Sequence, residues 1–221
     1  DLVTVRGGLD YLGQTFGVEF DVPLPIEIGS FPRVFPRIEG SNQTFGSHGM
    51  GNAAGVWVEA ELSPVPGLKV VPGVRAEYTL VSFFPDKLAD GSLSESADVA
   101  LFHIDPRVTA RLELLKGTTL KGAAGIYRQA PSGPQLSPDG GNPELLEPRA
   151  VQLISGVEQR LTRDIHVDAQ LYYTNRDLLV QSSGRTRARD DGSGEVDPLF
   201  YDNGGHNNTI KFSSVPHLGV E

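Results

Sequence analysis

Between Ile165 and Tyr173 the chain alternates: Ile165, Val167, Ala169, Leu171 and Tyr173 are apolar or aromatic, and His166, Asp168 and Gln170 fall between them. Side chains in a strand point to opposite faces in turn, so period two predicts a strand with one greasy face. The pattern recurs. Val108, Ala110, Leu112 and Leu114 alternate with Arg107, Thr109, Arg111 and Glu113. Leu68, Val70, Val74, Ala76 and Tyr78 alternate with Lys69, Val71, Gly73, Arg75 and Glu77. Val56, Val58, Ala60 and Leu62 face away from Trp57, Glu59 and Glu61. Val151, Leu153, Val157 and Leu161 oppose Gln152, Glu158 and Arg160, with Ile154 out of phase. With a small-residue stretch over 118–127, a first strand over 2–12 and a last one over 206–213, the pattern predicts about eight strands.

The connections come in two kinds. Pro64-Val65-Pro66-Gly67, Lys116-Gly117 and Thr162-Arg163-Asp164 are short turns, whereas 13–52, 80–105, 128–148 and 177–205 are long. Strict alternation of short and long connections fits an antiparallel up-and-down transmembrane barrel with short periplasmic turns and long extracellular loops. Compact soluble domains seldom carry so many long loops. Tyr11, Phe16, Tyr78, Phe83, Phe84, Phe102, Tyr127, Tyr172, Tyr173, Phe200 and Tyr201 gather toward the long connections, as an interfacial girdle on one side of a membrane requires. The inward charges Lys69, Arg75, Glu77, Arg111, Glu113, Glu158 and Arg160 keep to one face, where they are expected to be solvated and to pair with one another. An Arg or Lys on the lipid face near the midplane costs ~2–4 kcal/mol.

Composition adds exclusions. In 221 residues there is no Cys, so there is no disulfide framework and no thiolate site. The formal charge of −9, with no basic cluster, argues against nucleic acid as a partner. No apolar run reaches the ~18 residues of a spanning helix, but barrel strands need only ~9–11 residues with every second one apolar.

Several segments in order resemble one family. Gly125-Ile126-Tyr127-Arg128-Gln129-Ala130-Pro131 is followed by Gly141-Asn142-Pro143-Glu144-Leu145, Pro148-Arg149 and Gly156-Val157-Glu158. These resemble the wall of TonB-dependent outer-membrane receptors. Tyr172 to Val180 looks like that family's next strand, and Gly55 to Glu61 with Pro66-Gly67-Leu68 and Pro72 to Arg75 is similar to an earlier hairpin. The resemblance implies part of a large barrel (~22 strands around a plugged lumen) in the bacterial outer membrane, for energised uptake of a scarce ligand of the siderophore, cobalamin or glycan class. It implies outer-membrane lipid as surroundings and the TonB complex as a partner only through a plug, which nothing here matches. Residues 1–206 are expected to be partial receptor barrel and 207–221 an atypical or truncated tail, with Pro216 to Glu221 a loop. Such a piece, expressed alone, is expected to aggregate unless it closes on itself.

No catalytic motif is present, so no enzyme, cofactor or metal site is expected. His103 and Asp105 have ligand-like spacing but read as a solvated loop mouth, and His166 and Asp168 as polar lining of the lumen. Asp190 to Asp197 lacks the spacing of a Ca²⁺ loop and reads as a flexible acidic loop. Ligand contacts are expected from the long loops, at Arg128, Gln129 and Asn142. Two alternatives stay open: a free-standing small outer-membrane barrel and a soluble all-β binding module.

Overall fold

Eight strands, hydrogen-bonded antiparallel to their sequence neighbours, make one sheet in the order β1 to β8. They are β1 (Val3–Pro23), β2 (Asn42–Val65), β3 (Leu68–Phe84), β4 (Ala97–Leu115), β5 (Thr118–Arg128), β6 (Arg149–Arg160), β7 (Ile165–Ala188) and β8 (Val196–Leu218). The computed structural model describes residues 3–23, 42–87, 91, 93–138, 141–163, 165–188 and 196–218. Among these, β1 and β8 are not paired with each other, and no helix is long and apolar enough to cross a membrane.

The all-β, up-and-down expectation holds, and so do the two kinds of connection. Gly67 (φ 81°) and Gly117 (φ 84°) carry the tight turns in the left-handed region, which a side chain disfavours. The strands run further from these turns than period two indicated. β1 continues to Pro23, β3 to Phe84 and β7 to Ala188, while β4 begins at Ala97. Much of what reads as long loop is therefore strand, and the connections shrink to 24–41, 85–96, 129–148 and 189–195. The last strand, expected over 206–213, spans Val196–Leu218, with Pro216 opposite Val167 instead of in a loop. Alternation fades in these outer stretches, where Val81, Phe83 and Val99 are buried together.

Register fixes which residues share a face. On one face of β4 stand Phe102, Ile104, Pro106, Val108, Ala110, Leu112 and Leu114; on the same face of β3 stand Leu68, Val70, Pro72, Val74, Ala76 and Tyr78. Neither run contains a charge. From Leu68 to Tyr78 is about 33 Å of strand at ~3.3 Å per residue, and a tilt of ~45° makes that a band about 25 Å tall. Tyr11, Ala54, Tyr78 and Phe102 are successive register partners on four strands, and the three rings line the upper edge of the band. Leu9 and Tyr11 on this face are 84% and 71% exposed, uncovered by any part of the described chain.

Candidate functional site

The opposite face carries the chemistry. Its charges are organised into cross-strand networks, because neighbouring strands place long side chains ~5 Å apart. Near the short turns Glu61 accepts from Arg6 (3.0 Å) and Lys69 (2.6 Å), and Arg107 reaches Glu59 (3.3 Å). Higher on the sheet Arg75 holds Asp10 through both terminal nitrogens (2.9 and 2.7 Å) and Glu77 at 2.6 Å. Lys121 bridges Glu158 (3.1 Å) and Asp168 (2.7 Å), and Arg111 pairs with Glu158 from the other side. An open hollow of about 1000 Å³ at the short-turn end is lined by these groups, among them Lys69, Arg111, Glu158, His166 and Asp168. The expected inward set thus pairs with itself at Arg75–Glu77 and Arg111–Glu158, while Lys69 pairs with Glu61 outside it. Asp10, Glu61 and Lys121 complete the networks; alternation puts Glu61 and Lys121 on this face, but only register shows whom they meet.

Beyond the girdle this face turns apolar. Val81, Phe83, Val99, Leu136 and Leu145 form a buried cluster, flanked by Phe16, Leu101, Val180 and Tyr201. Phe16 and Phe83 meet edge to face at 5.6 Å. Leu136 and Leu145 belong to the 129–148 connection, so this segment, expected as an outer loop, folds inward over the sheet. It contains a single helical turn, α1 (Gly133–Leu136), with a proline in its first positions. The aromatics therefore divide: Tyr11, Tyr78, Phe102 and Tyr173 line the apolar face, whereas Phe16, Phe83 and Tyr201 pack in this cluster, and Tyr127 and Tyr172 face inward too. The side chain of Phe200 lies outside the described residues.

Beneath the inward segment lies a buried polar group. His103 and Asp105 are 6% and 7% exposed, which corrects the reading of a solvated mouth. His103 Nδ1 lies 2.9 and 3.0 Å from the two carboxylate oxygens of Glu147, on the inward segment, and its Nε2 is 3.6 Å from Asp105. Asp105 in turn accepts from the backbone N–H (2.8 Å) and guanidinium (2.6 Å) of Arg128. These groups satisfy one another, and no group of three or more potential ligands is placed to hold a metal ion among the described residues.

The three expected ligand residues are placed as follows. Arg128 ends β5 and also donates to the Ile104 carbonyl (3.0 Å). Asn142 donates to the Tyr201 carbonyl (3.1 Å) and accepts from the Glu144 N–H (3.0 Å). Gln129 is exposed, its N–H bonded to the Pro148 carbonyl (3.2 Å). The acidic stretch 190–195 lies outside the described residues.

Charge divides along the chain as the faces do. Among the described residues, the outer stretches within 12–53, 79–101, 130–147 and 179–205 hold nine Asp and Glu against three Lys and Arg, a net of −6.

No protein-family model matches the chain, and no curated protein matches it by sequence. Solved structures do. The ferric-catecholate import receptor Fiu from Escherichia coli K12 aligns with 99% of this chain at 12% identity and TM-score 0.61, over 33% of its own length. The copper transporter OprC aligns with all of it at 12% identity and TM-score 0.66, over 34% of its length. The hemophore receptor HasR of Serratia marcescens, in a complex with its hemophore and heme, aligns with 95% at 12% identity and TM-score 0.55, over 39% of its length. The chain thus spans about a third of the length of the structures it matches. Its fold is that of the barrel wall of TonB-dependent outer-membrane receptors, as the motif order between 55 and 180 indicated.

Proposed function

We propose that the chain is a sector of the wall of an outer-membrane β-barrel that takes up a scarce ligand through an energised, TonB-linked cycle. One observation carries the reading: an uncharged face about 25 Å tall, edged by Tyr11, Tyr78 and Phe102, backs directly onto a face of paired charges. Such a sheet separates lipid from a watery lumen. A soluble sandwich needs a second sheet on the apolar face, and the eight strands among the described residues all belong to one sheet. The matched structures are an import receptor, a copper transporter and a hemophore receptor, which supports an uptake role without fixing the ligand. Siderophore, cobalamin and glycan classes all suit the fold. The net −6 of the described outer stretches favours a neutral or cationic ligand over a strongly anionic one, because an acidic mouth repels anions. Arg128, Gln129 and Asn142 are proposed to stand along the ligand's path. Gln129 offers a free-standing side chain, while Arg128 and Asn142 also hold the wall together.

The test uses the absence of Cys from these 221 residues, any Cys elsewhere in the full-length protein being replaced by Ser first. Single cysteines at 106 to 112 of the full-length protein in its membrane are spin-labelled and probed with oxygen and a water-soluble nickel chelate. Oxygen access should peak at 106, 108, 110 and 112, and nickel access at 107, 109 and 111. Equal nickel access at both sets would refute the proposal.

A further inference from the structure

We infer that the segment between Arg128 and Arg149 is a permanently docked strap across the inner face, latched to strands far apart in the sheet, and is not a loop that sweeps for ligand. The inference that it narrows the lumen rests on the barrel reading; the docking itself does not.

Its anchors reach both ends of the sheet. Toward β1, helix α1 sits so close to Phe16 that a Cβ on Gly133 would lie 2.7 Å from the ring Cζ, so the glycine allows the approach. Over β3 and β4, Leu136 and Leu145 are buried in the cluster with Val81, Phe83 and Val99, and Glu147 meets His103. Toward β8, the Asn203 side chain treats Leu146 as a strand partner: its Oδ1 accepts from the Leu146 N–H (2.7 Å) and its Nδ2 donates to the Leu146 carbonyl (2.9 Å). The same Nδ2 donates to the Leu178 carbonyl (2.7 Å). Leu178 adopts φ 57°, which side chains seldom do, and lies within the register break between Arg176 and Leu179 where β7 meets β8. That irregularity turns its carbonyl toward Asn203, so the local backbone serves the latch.

Two further features oppose release. Lifting the strap would expose Leu136 and Leu145 and take from His103 the Glu147 carboxylate that pairs with it. Five prolines, at 131, 134, 138, 143 and 148, restrict the alternatives open to a released strap, so little entropy is gained by letting go.

The experiment places spin labels on Glu144→Cys in the strap and Lys116→Cys at a short turn of the full-length protein in outer-membrane vesicles. A second pair, Lys116→Cys with Arg163→Cys, reports on the wall. Expected is one narrow distance peak for the strap, which loses its single maximum in Asn203→Ala and, separately, in His103→Ala while the wall pair stays narrow. A broad or multiple strap distribution with the latch intact overturns the inference. So does a strap peak that stays narrow in both variants, or a wall pair that broadens along with it. Failure of the barrel reading itself would instead appear as loss of the alternating oxygen and nickel access across 106 to 112.

Discussion

Replacing Val108 by Arg puts the two faces of β4 in direct competition. Val108 is midway between Phe102 and Leu114 on the apolar face, and its register partners Pro72 and Ala124 offer no polar group. The six residues of strand on either side are roughly 20 Å at ~3.3 Å per residue, further than an arginine can snorkel. At the midplane of a barrel an outward Arg costs ~2–4 kcal/mol. Arg107, one residue away, carries the same charge on the other face, 3.3 Å from Glu59, with both side chains partly exposed. Removing that pair by Arg107→Val costs ~0.2–1 kcal/mol. Val108→Arg should therefore be worse by about 1–4 kcal/mol, which at ~1.4 kcal/mol per decade is roughly five-fold to several-hundred-fold in the folding equilibrium. Urea titration of the full-length protein folding into phospholipid vesicles, read by heat-dependent gel migration, measures both. If Val108→Arg costs no more than Arg107→Val, the face assignment is wrong.

Other substitutions reach other parts of the argument. Leu145→Ala should cost ~2–5 kcal/mol as a core truncation, and hydrogen exchange should quicken within 129–148 while β2 to β4 keep their protection. Gly117→Val forces a branched side chain into φ 84°, with a Cβ 3.2 Å from that of Arg160, and should lower stability by at least ~1–2 kcal/mol in the same urea titration. Because the outer stretches are acidic, association of a cationic ligand should slow as NaCl rises, as stopped-flow fluorescence would show. A rate that rises with salt for a cation would contradict the steering.

What was legible in the sequence is what lipid imposes. From Leu68 to Tyr78 and from Val108 to Leu114 one face is apolar and the other mostly polar, with Val71 the exception, so the strands can be read directly. Above the girdle that pressure lapses. Phe83, Val81 and Val99 point inward, under Leu136 and Leu145, so apolar residues stand on both faces and period two no longer marks a strand. The strap escaped notice for the same reason that the Gly141-Asn142-Pro143 motif was visible: its signal lies in order and spacing, and neither says whether a segment folds outward or inward. Asn203 and Leu178 carried no signal of their own. An asparagine that pairs with a backbone 57 positions away, and a leucine in a left-handed conformation, are consequences of tertiary docking. His103 and Asp105 were visible as a pair, but their burial depends on Glu147 arriving from the strap.

The same physics sets a condition on the sheet as a whole. Along each of β1 and β8, the edge that faces away from the other strands presents unpaired N–H and C=O groups among the described residues. Within an apolar band crossed by ~9–11 residues per strand, about ten such groups lie on each edge. Every unsatisfied group in hydrocarbon costs several kcal/mol, so two open edges would cost tens of kcal/mol, well beyond the ~5–15 kcal/mol by which folded proteins are stable. An eight-stranded sheet with this lipid face therefore cannot stand in a membrane with its edges bare. Either further strands pair with β1 and β8, as in the matched structures, which are about three times as long, or β1 and β8 close on each other. The strap favours the first. It already spans the inner face from Phe16 on β1 to Asn203 on β8, and closing the sheet would crowd it from both edges. The hollow of about 1000 Å³ near the short turns would then be squeezed between Lys69, Arg111 and His166 on facing walls. A wider barrel keeps that space.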